Sequence, residues 1–334
     1  MPEKTTGDKP GERIAKVIAR AGLASRRAAE ALIAAGRVAV NGEVIASPAL
    51  NVGARDRITV DGQPLPGRAR TRLFRYHKPR GLVTTHADPQ GRPTIFAKLP
   101  KRLPRLISVG RLDLNSEGLL LLTNDGGLAR ALELPATGWQ RRYRVRARGR
   151  VTQSALDRLR EGVTVAGVRY GPIEATLDRE QGAQGAQGAN VWLTVGLREG
   201  KNREVRKVLE HLGLTVNRLI RVSYGPFELG DLTGGAVEEV ETENLSKILG
   251  PELIAQAEVD FEGPLEGEMP RRHSGAGRRP EPGIHNPGRR TDRKTGVMDS
   301  GSRADARGRN DKRKKPRRRD RSGGPRPKFP RSKS

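Results

Sequence analysis

Four consecutive leucines, Leu119 to Leu122, limit the folds open to this chain more than any other feature. They sit inside Gly110-Arg111-Leu112-Asp113-Leu114-Asn115-Ser116-Glu117-Gly118-Leu119-Leu120-Leu121-Leu122-Thr123-Asn124-Asp125-Gly126. An apolar run of strand length, bounded by Glu-Gly on one side and Asn-Asp-Gly on the other, predicts a buried strand. Asp113 then lies on the loop feeding that strand, where a rigid element would hold its carboxylate. Spacing alone leaves two readings equally open: a reactive carboxylate, or a residue that merely caps a turn.

Composition narrows the chemistry. The 334 residues give room for two folded domains and carry 64 Lys and Arg against 38 Asp and Glu, a formal net charge of +26. Such an excess points to a polyanionic partner, because each phosphate neutralised by Lys or Arg releases condensed counterions. Aromatic residues make up only 3% of the chain, which leaves little for extensive base stacking. There is no cysteine, so disulfides, thiolate zinc sites and a cysteine nucleophile are excluded. The histidines His77, His86, His211, His273 and His285 show no paired metal-ligand spacing, and no metal site is expected. With no apolar run of membrane-spanning length and no signal peptide, a soluble cytoplasmic protein is expected, without a membrane partner.

The charge is concentrated at one end. Residues 271 to 334 hold 23 Lys and Arg against six acids, a net +17, which leaves +9 for the first 270 residues. Rich in Gly, Pro and Ser and nearly empty of large apolar side chains, the tail at 266–334 cannot offset its ordering entropy and is expected to be disordered. Its expected role is non-specific attraction to RNA, strongest around Lys312 to Arg319; a solubility tail is the alternative.

Residues 1–10 read as a flexible start and 11–62 as a compact module. Ile14, Val17, Ile18 and Ala21 form the apolar stripe of a helix that Gly22 can end. Ser25 is a plausible N-cap for a second helix with Ala29, Leu32 and Ile33 inward, stopped at Gly36. Val38 to Val44 give two short strands about the Asn41-Gly42 turn, and a further strand runs from Arg57 to Gly62. Arg13, Lys16, Arg26, Arg27 and Arg37 decorate the polar faces. The arrangement, with Gly36-Arg37-Val38-Ala39-Val40-Asn41-Gly42 as its most recognisable piece, resembles the alpha-L RNA-binding module first seen in small-subunit ribosomal protein four. Adjacent Arg26 and Arg27 at a helix N-terminus favour a phosphate role, since backbone donors and the helix dipole attract anions there. Residues 63–72, with two prolines and several arginines, read as a linker.

From Leu73 to about Val240 short strands alternate with a few helices. Tyr143 to Ala147 and Val191 to Val195 are strand-like, Asn202 to Gly213 is a helix with Val205, Val208, Leu209 and Leu212 on one face, and Asn217 to Tyr224 returns to strand. Residues 242 to 257 are expected to close the domain, 73–257, with a helix. The pattern is α+β around a mainly antiparallel sheet.

Gly110-Arg111-Leu112-Asp113 with the Asn115 to Gly126 segment resembles the catalytic-aspartate motif of the RNA pseudouridine synthases, in the RsuA/RluB branch. Three further segments agree in order: Tyr76-His77-Lys78-Pro79-Arg80-Gly81, Arg142-Tyr143-Arg144-Val145, and Glu199-Gly200-Lys201-Asn202-Arg203-Glu204-Val205-Arg206. The resemblance covers roughly residues 11 to 245. It implies an isomerase that breaks the bond from ribose to nitrogen 1 of uracil, turns the base and rejoins it through carbon 5, with no cofactor. Positive character on the sugar calls for a nearby carboxylate, as in glycoside hydrolysis. The uracil leaves as a stabilised anion, so no second carboxylic acid is required.

Residue by residue, the resemblance makes Asp113 the essential aspartate, as nucleophile at the sugar or as base on the ribose 2′ hydrogen. It makes Tyr143 the tyrosine that stacks on the uracil, and Arg206 the basic residue paired with the aspartate, which would favour the ionised carboxylate. Arg111 corresponds to the arginine that fills the gap left by the flipped nucleotide. Lys201 and Arg203, with Gly200 and Asn202, sit at a helix start suited to phosphate contacts, and Lys78 has a structural or RNA-orienting role. Taken without the resemblance, Tyr143 is equally an ordinary strand residue, and Arg203 and Arg206 a solvated helix face. Asp88 to Phe96 and Asn202 to Arg206 resemble the RluB group in particular, which implies 23S rRNA or an assembling large subunit as partner. Two alternatives stay open: the same chemistry on 16S rRNA, and a catalytically idle ribosome-assembly factor that binds RNA. No heptad or exposed apolar stripe argues for more than a monomer.

Overall fold

The computed structural model describes residues 11–178 and 190–265. The expected flexible start (1–10) and basic tail (266–334) lie outside the described residues.

The N-terminal module follows its sequence closely. Helices α1 (Ile14–Arg20) and α2 (Arg26–Ala34) pack through Ile14, Ile18, Ala29 and Ile33, none of which retains any exposure. Ser25 caps α2 by accepting the Ala28 N–H at 3.0 Å. Strand β1 (Val38–Val40) turns back through Asn41 and Gly42, both at positive φ, onto Glu43–Val44. Strand β2 (Ile58–Val60) pairs with β1 and, across the Asp61-Gly62 turn, with Gln63–Pro64. Those last two residues were expected in the linker. They belong to the module's sheet instead, because Pro64 needs no N–H at an edge and so did not stop the pairing.

The second domain is built on one twisted sheet. Its main strands are β3 (Leu73–Lys78), β4 (Glu117–Thr123), β5 (Arg141–Arg148), β6 (Ile173–Leu177), β7 (Asn190–Leu197), β8 (Thr215–Tyr224) and β9 (Val237–Val240). In space they lie β6-β7-β5-β8-β4-β3-β9. Among these neighbours every pairing is antiparallel except that of β8 with β4. The longer helices are α3 (Gly126–Glu133), α4 (Glu204–His211) and α5 (Thr242–Ala257), the last broken at Gly250 ahead of Pro251. Helix α3 was not foreseen, since two glycines at its start are poor helix formers. Asp125 supplies the cap, accepting the N–H groups of Gly127 and Leu128 at 2.7 and 3.3 Å.

The four leucines show why β4 is apolar throughout. Leu120 and Leu122 join the core beneath β5 and α4, whereas Leu119 and Leu121 join a second core with Leu128 and Leu132 of α3 and Leu245 and Leu249 of α5. A strand covered on both faces has no solvent side for polar residues. Burying each leucine contributes about 1.5–3 kcal/mol. Strand β5 is covered on one face only: Tyr143, Val145 and Ala147 point inward, and Arg142, Arg144, Arg146 and Arg148 outward.

The parallel junction of β4 and β8 requires Gly118, whose φ is +102°. A Cβ there would collide with the Arg221 carbonyl and lie 2.7 Å from the Arg221 nitrogen. Gly118→Ala is expected to lower stability by about 2–4 kcal/mol, from backbone strain and a clash with main chain that cannot rotate away. Urea unfolding of the purified variant checks this; a loss below about 1 kcal/mol would mean that the two strands separate readily.

Candidate active site

Asp113 stands in a cleft of about 820 Å³ on the inward face of the sheet, lined also by Tyr143, Arg111, Lys201, Arg203 and Arg221. Its loop has little freedom, because each carbonyl from Leu112 to Ser116 accepts a hydrogen bond. Thr84 Oγ1 donates to Leu112 O at 2.9 Å, Ser116 N to Asp113 O at 3.0 Å and Gly81 N to Leu114 O at 2.8 Å. Arg206 Nη2 donates to Asn115 O at 3.1 Å, and Lys78 Nζ to Ser116 O at 2.9 Å. The half-buried Asp113 carboxylate itself makes no hydrogen bond or ion pair among the described residues. A fixed backbone thus presents an unengaged carboxylate to the cleft.

Tyr143 reaches the same cleft because the pleat of β5 turns odd-numbered residues inward; the residue is 9% exposed. The strand pairs on both sides, with β7 and β8, so the ring is carried by a central position of the sheet.

Two expected roles are narrowed or changed. Lys78, expected in a structural or RNA-orienting role, is fully buried, which favours the structural one. Its ammonium donates to the carbonyls of Pro79 (3.0 Å) and Ser116, beneath the Asp113 loop. Burial lowers its pKa to about 8, with Asp113 and Glu117 pulling the other way. The inward pleat position of Lys78 at the end of β3 decides this, and composition alone did not disclose it. Arg206 is buried as well, but among the described residues no ion pair joins it to Asp113. Its guanidinium donates to Val216 O (3.0 Å) and Asn115 O, two residues beyond the aspartate. Burial, then Arg203, push the Arg206 pKa below its ordinary value, and Asp113 opposes them. Arg206 therefore holds the loop and stands within electrostatic range of the carboxylate.

Arg203 and Lys201 flank the opening. Arg203 sits at the start of α4 with φ +53°, a left-handed conformation that costs a non-glycine residue energy and concentrates at functional positions. Lys201 pairs with Glu199 at 2.7 Å and lies 5.8 Å from the Tyr170 ring centroid. Two arginines that the sequence reading passed over line the cleft wall. Arg221, 2% exposed, donates to Leu119 O at 2.7 Å, while its Nη2 is buried without a partner among the described residues. Arg141 donates to the Tyr224 hydroxyl at 2.8 Å, and the two guanidinium groups lie 4.7 and 5.1 Å from the Tyr224 ring centroid. Position i−2 from Tyr143 was a signal that Arg141 shares its face.

The module's basic residues are distributed unevenly. Lys16, Arg26 and Arg27 line a second groove, of about 1410 Å³, with Arg130 and with Arg111, which borders both grooves. Lys16 is also bonded to Glu12 at 2.6 Å. Arg13 is exposed on the short strand Glu12–Arg13. Arg37 is held by both oxygens of Asp61, at 2.7 and 2.6 Å, away from this groove's lining.

A sheet with a carboxylate and a tyrosine in an arginine-lined cleft, joined to a separate basic module, defines an RNA-modifying class of protein. The RNA pseudouridylate synthase family model matches residues 72–211, and the S4 domain model matches residues 12–64. An uncharacterized RNA pseudouridine synthase of Rickettsia typhi is 45% identical over 241 residues, covering 72% of this chain and 96% of the relative. The chain belongs to the RNA pseudouridine synthase family: it is an isomerase with an RNA-binding S4 domain. The ribosomal large subunit pseudouridine synthase B of Pseudomonas aeruginosa is 45% identical over 254 residues, covering 73% of this chain and 64% of that protein. That of Haemophilus influenzae is 41% identical over 245 residues, covering 71% and 66%. A crystal structure of a pseudouridylate synthase matches with a TM-score of 0.50 at 25% identity, over 71% of this chain and 99% of that one. Among the described residues, no helix is long and apolar enough to cross a membrane.

The buried Lys78 gives a signed pH dependence. Its folded pKa of about 8 lies below the ordinary 10.5, so between those values the unfolded chain binds more protons. This group therefore makes stability rise with pH across that window. The unfolding free energy of wild type minus that of Lys78→Met is expected to move in favour of wild type as pH rises from 8 to 10. A pH-independent difference would show that the ammonium is solvated.

Proposed function

We propose that this enzyme converts a specific uridine of 23S rRNA to pseudouridine, in the free RNA or an assembling large subunit, and so works in the cytoplasm. The observation that carries the reading is the Asp113 carboxylate, unengaged on a loop whose carbonyls are all bonded and facing the same cleft as Tyr143. The names of the Pseudomonas and Haemophilus relatives support the large-subunit target.

The target uridine leaves its stack to enter the cleft, at a cost of a few kcal/mol. Arg111, at the junction of the two grooves, fills the gap it leaves, while Lys201 and Arg203 bind adjacent phosphates. Lys16, Arg26, Arg27 and Arg13 extend the phosphate contacts along the S4 domain, with Arg37 on its outer side. Asp113 then acts at the sugar, as nucleophile or as base on the 2′ hydrogen, and the glycosidic bond breaks. Tyr143 stacks on the released uracil as it turns and assists loss of the carbon 5 proton after the new bond forms. Arg206 keeps the carboxylate at the attacking distance. A displacement of about 1 Å in such a group costs on the order of a hundredfold in rate.

The test compares wild type with Asp113→Ala on unmodified 23S and 16S transcripts, with pseudouridine mapped at single-nucleotide resolution. One modified 23S position, made by wild type alone, is the expected result; a 16S product would overturn the target. Absence of product on either RNA and on a partly assembled particle, with binding retained, would overturn activity on rRNA. Arg206→Met is expected to lower kcat roughly 10- to 100-fold with little change in KM, because it loosens the loop without removing an RNA contact.

A further inference from the structure

The active cleft uses one face of the sheet; the other face is open over β5, β7 and β6. The helices α3 and α5 that cover this side lie over β4, Tyr224 and the strand Phe227–Glu228. On the open part, Arg142, Arg144, Arg146 and Arg148 are all exposed, at alternate positions of one strand. Successive side chains are therefore roughly 6–7 Å apart, a spacing of the order of one nucleotide step along a nucleic-acid strand. Arg218 of β8 pairs in register with Arg146 on one side, and Trp192 of β7 on the other.

The acids on this face are confined to particular partners. Glu228 takes Arg142 at 3.2 Å, Asp178 lies 3.7 Å from Arg144, and Glu117 takes Arg218 at 2.7 Å. Glu174, at the edge, accepts from Gln140 at 2.9 Å. Arg146 and Arg148 have no hydrogen bond or ion pair among the described residues. Trp192 belongs to none of the three apolar cores formed by the described residues; the Arg144 guanidinium covers its ring at 4.7 Å from the centroid. Trp192 is thus a half-buried ring on an open sheet face, outside the apolar cores and across from the unpaired Arg146. Aromatic side chains on a sheet surface with flanking cations form a stacking platform for single-stranded nucleic acid.

The geometry points to a second RNA-binding surface: the outer face of β5 and β7 holds a single-stranded segment of the substrate RNA, with Arg146 and Arg148 on phosphates and a base on Trp192. Arg144 shifts from the ring to a phosphate as the base arrives. The surface rests on the substrate's being RNA and is independent of which uridine is modified. It would tether the RNA outside the cleft, so it acts on KM and leaves the chemical step alone.

Binding of a single-stranded RNA of about ten nucleotides is measured in the full-length protein carrying Asp113→Asn, so that the result does not depend on turnover. Arg146→Glu with Arg148→Glu is expected to weaken binding about tenfold or more. It should also reduce the slope of log affinity against log salt by roughly one to two. RNA should quench tryptophan fluorescence, and Trp192→Phe should remove most of that quench. In protein with Asp113 intact, the arginine pair should raise KM on a long rRNA fragment with kcat preserved. Unchanged affinity, salt slope and quench in variants with wild-type circular dichroism would overturn the surface. A kcat loss with unchanged RNA binding would overturn it too, by assigning these residues to the sheet. If wild type modifies no rRNA yet the binding effects appear, the surface stands and the rRNA reading fails.

Discussion

The structure depends on the binding of five successive carbonyls. From Leu112 to Ser116 the main chain has no secondary structure of its own, yet each acceptor is taken, by Thr84, Ser116, Gly81, Arg206 and Lys78 in turn. Four of these donors come from elsewhere in the chain, on β3, on the segment after it and on α4. A loop with its acceptors satisfied by water would sample many conformations. Bonded in this way it has one, and the position of the Asp113 carboxylate follows from it. Burying two cations to do this is costly, which the depressed lysine pKa records. Both are sited where carbonyl oxygens can replace part of their hydration.

The same sheet solves two problems by being covered unequally. Around β4 and β3 it has cores on both sides, which fixes the junction with β8 and the floor of the cleft. Toward β5, β7 and β6 only the inner face is packed, against α4 and its neighbours. The inner side there carries Tyr143, and the outer side is free to hold charge. An alternating strand thus delivers a cleft tyrosine to one face and a row of arginines to the other.

Much of this was legible locally. The Ser25 cap, the Asn41-Gly42 hairpin, the apolar spacing of α4 and the closing helix have direct local sequence signals, although the kink at Gly250 was not among them. Less local features escaped. Lys78 reads as either structural or RNA-orienting until the carbonyl of Ser116, 38 positions away, is brought over it. Arg206 carries a family signal for pairing with the aspartate, whereas its hydrogen bonds go to main-chain carbonyls. Arg221 gave no signal, because a buried arginine inside a strand looks like an exposed one of the opposite parity.

Family resemblance singled out Asp113 and Tyr143; the sequence's own patterns determined the two-domain α+β plan, the strand through the leucines and the basic module. Periodicity and turn residues encode these, since they depend on neighbours along the chain. Tertiary structure alone decided which cations line the grooves and which hold the loop, how the carboxylate is aimed, and that one face of β5 stays open. Those outcomes depend on contacts between residues distant in sequence, and a pattern read along one strand does not state which of its faces another element will cover.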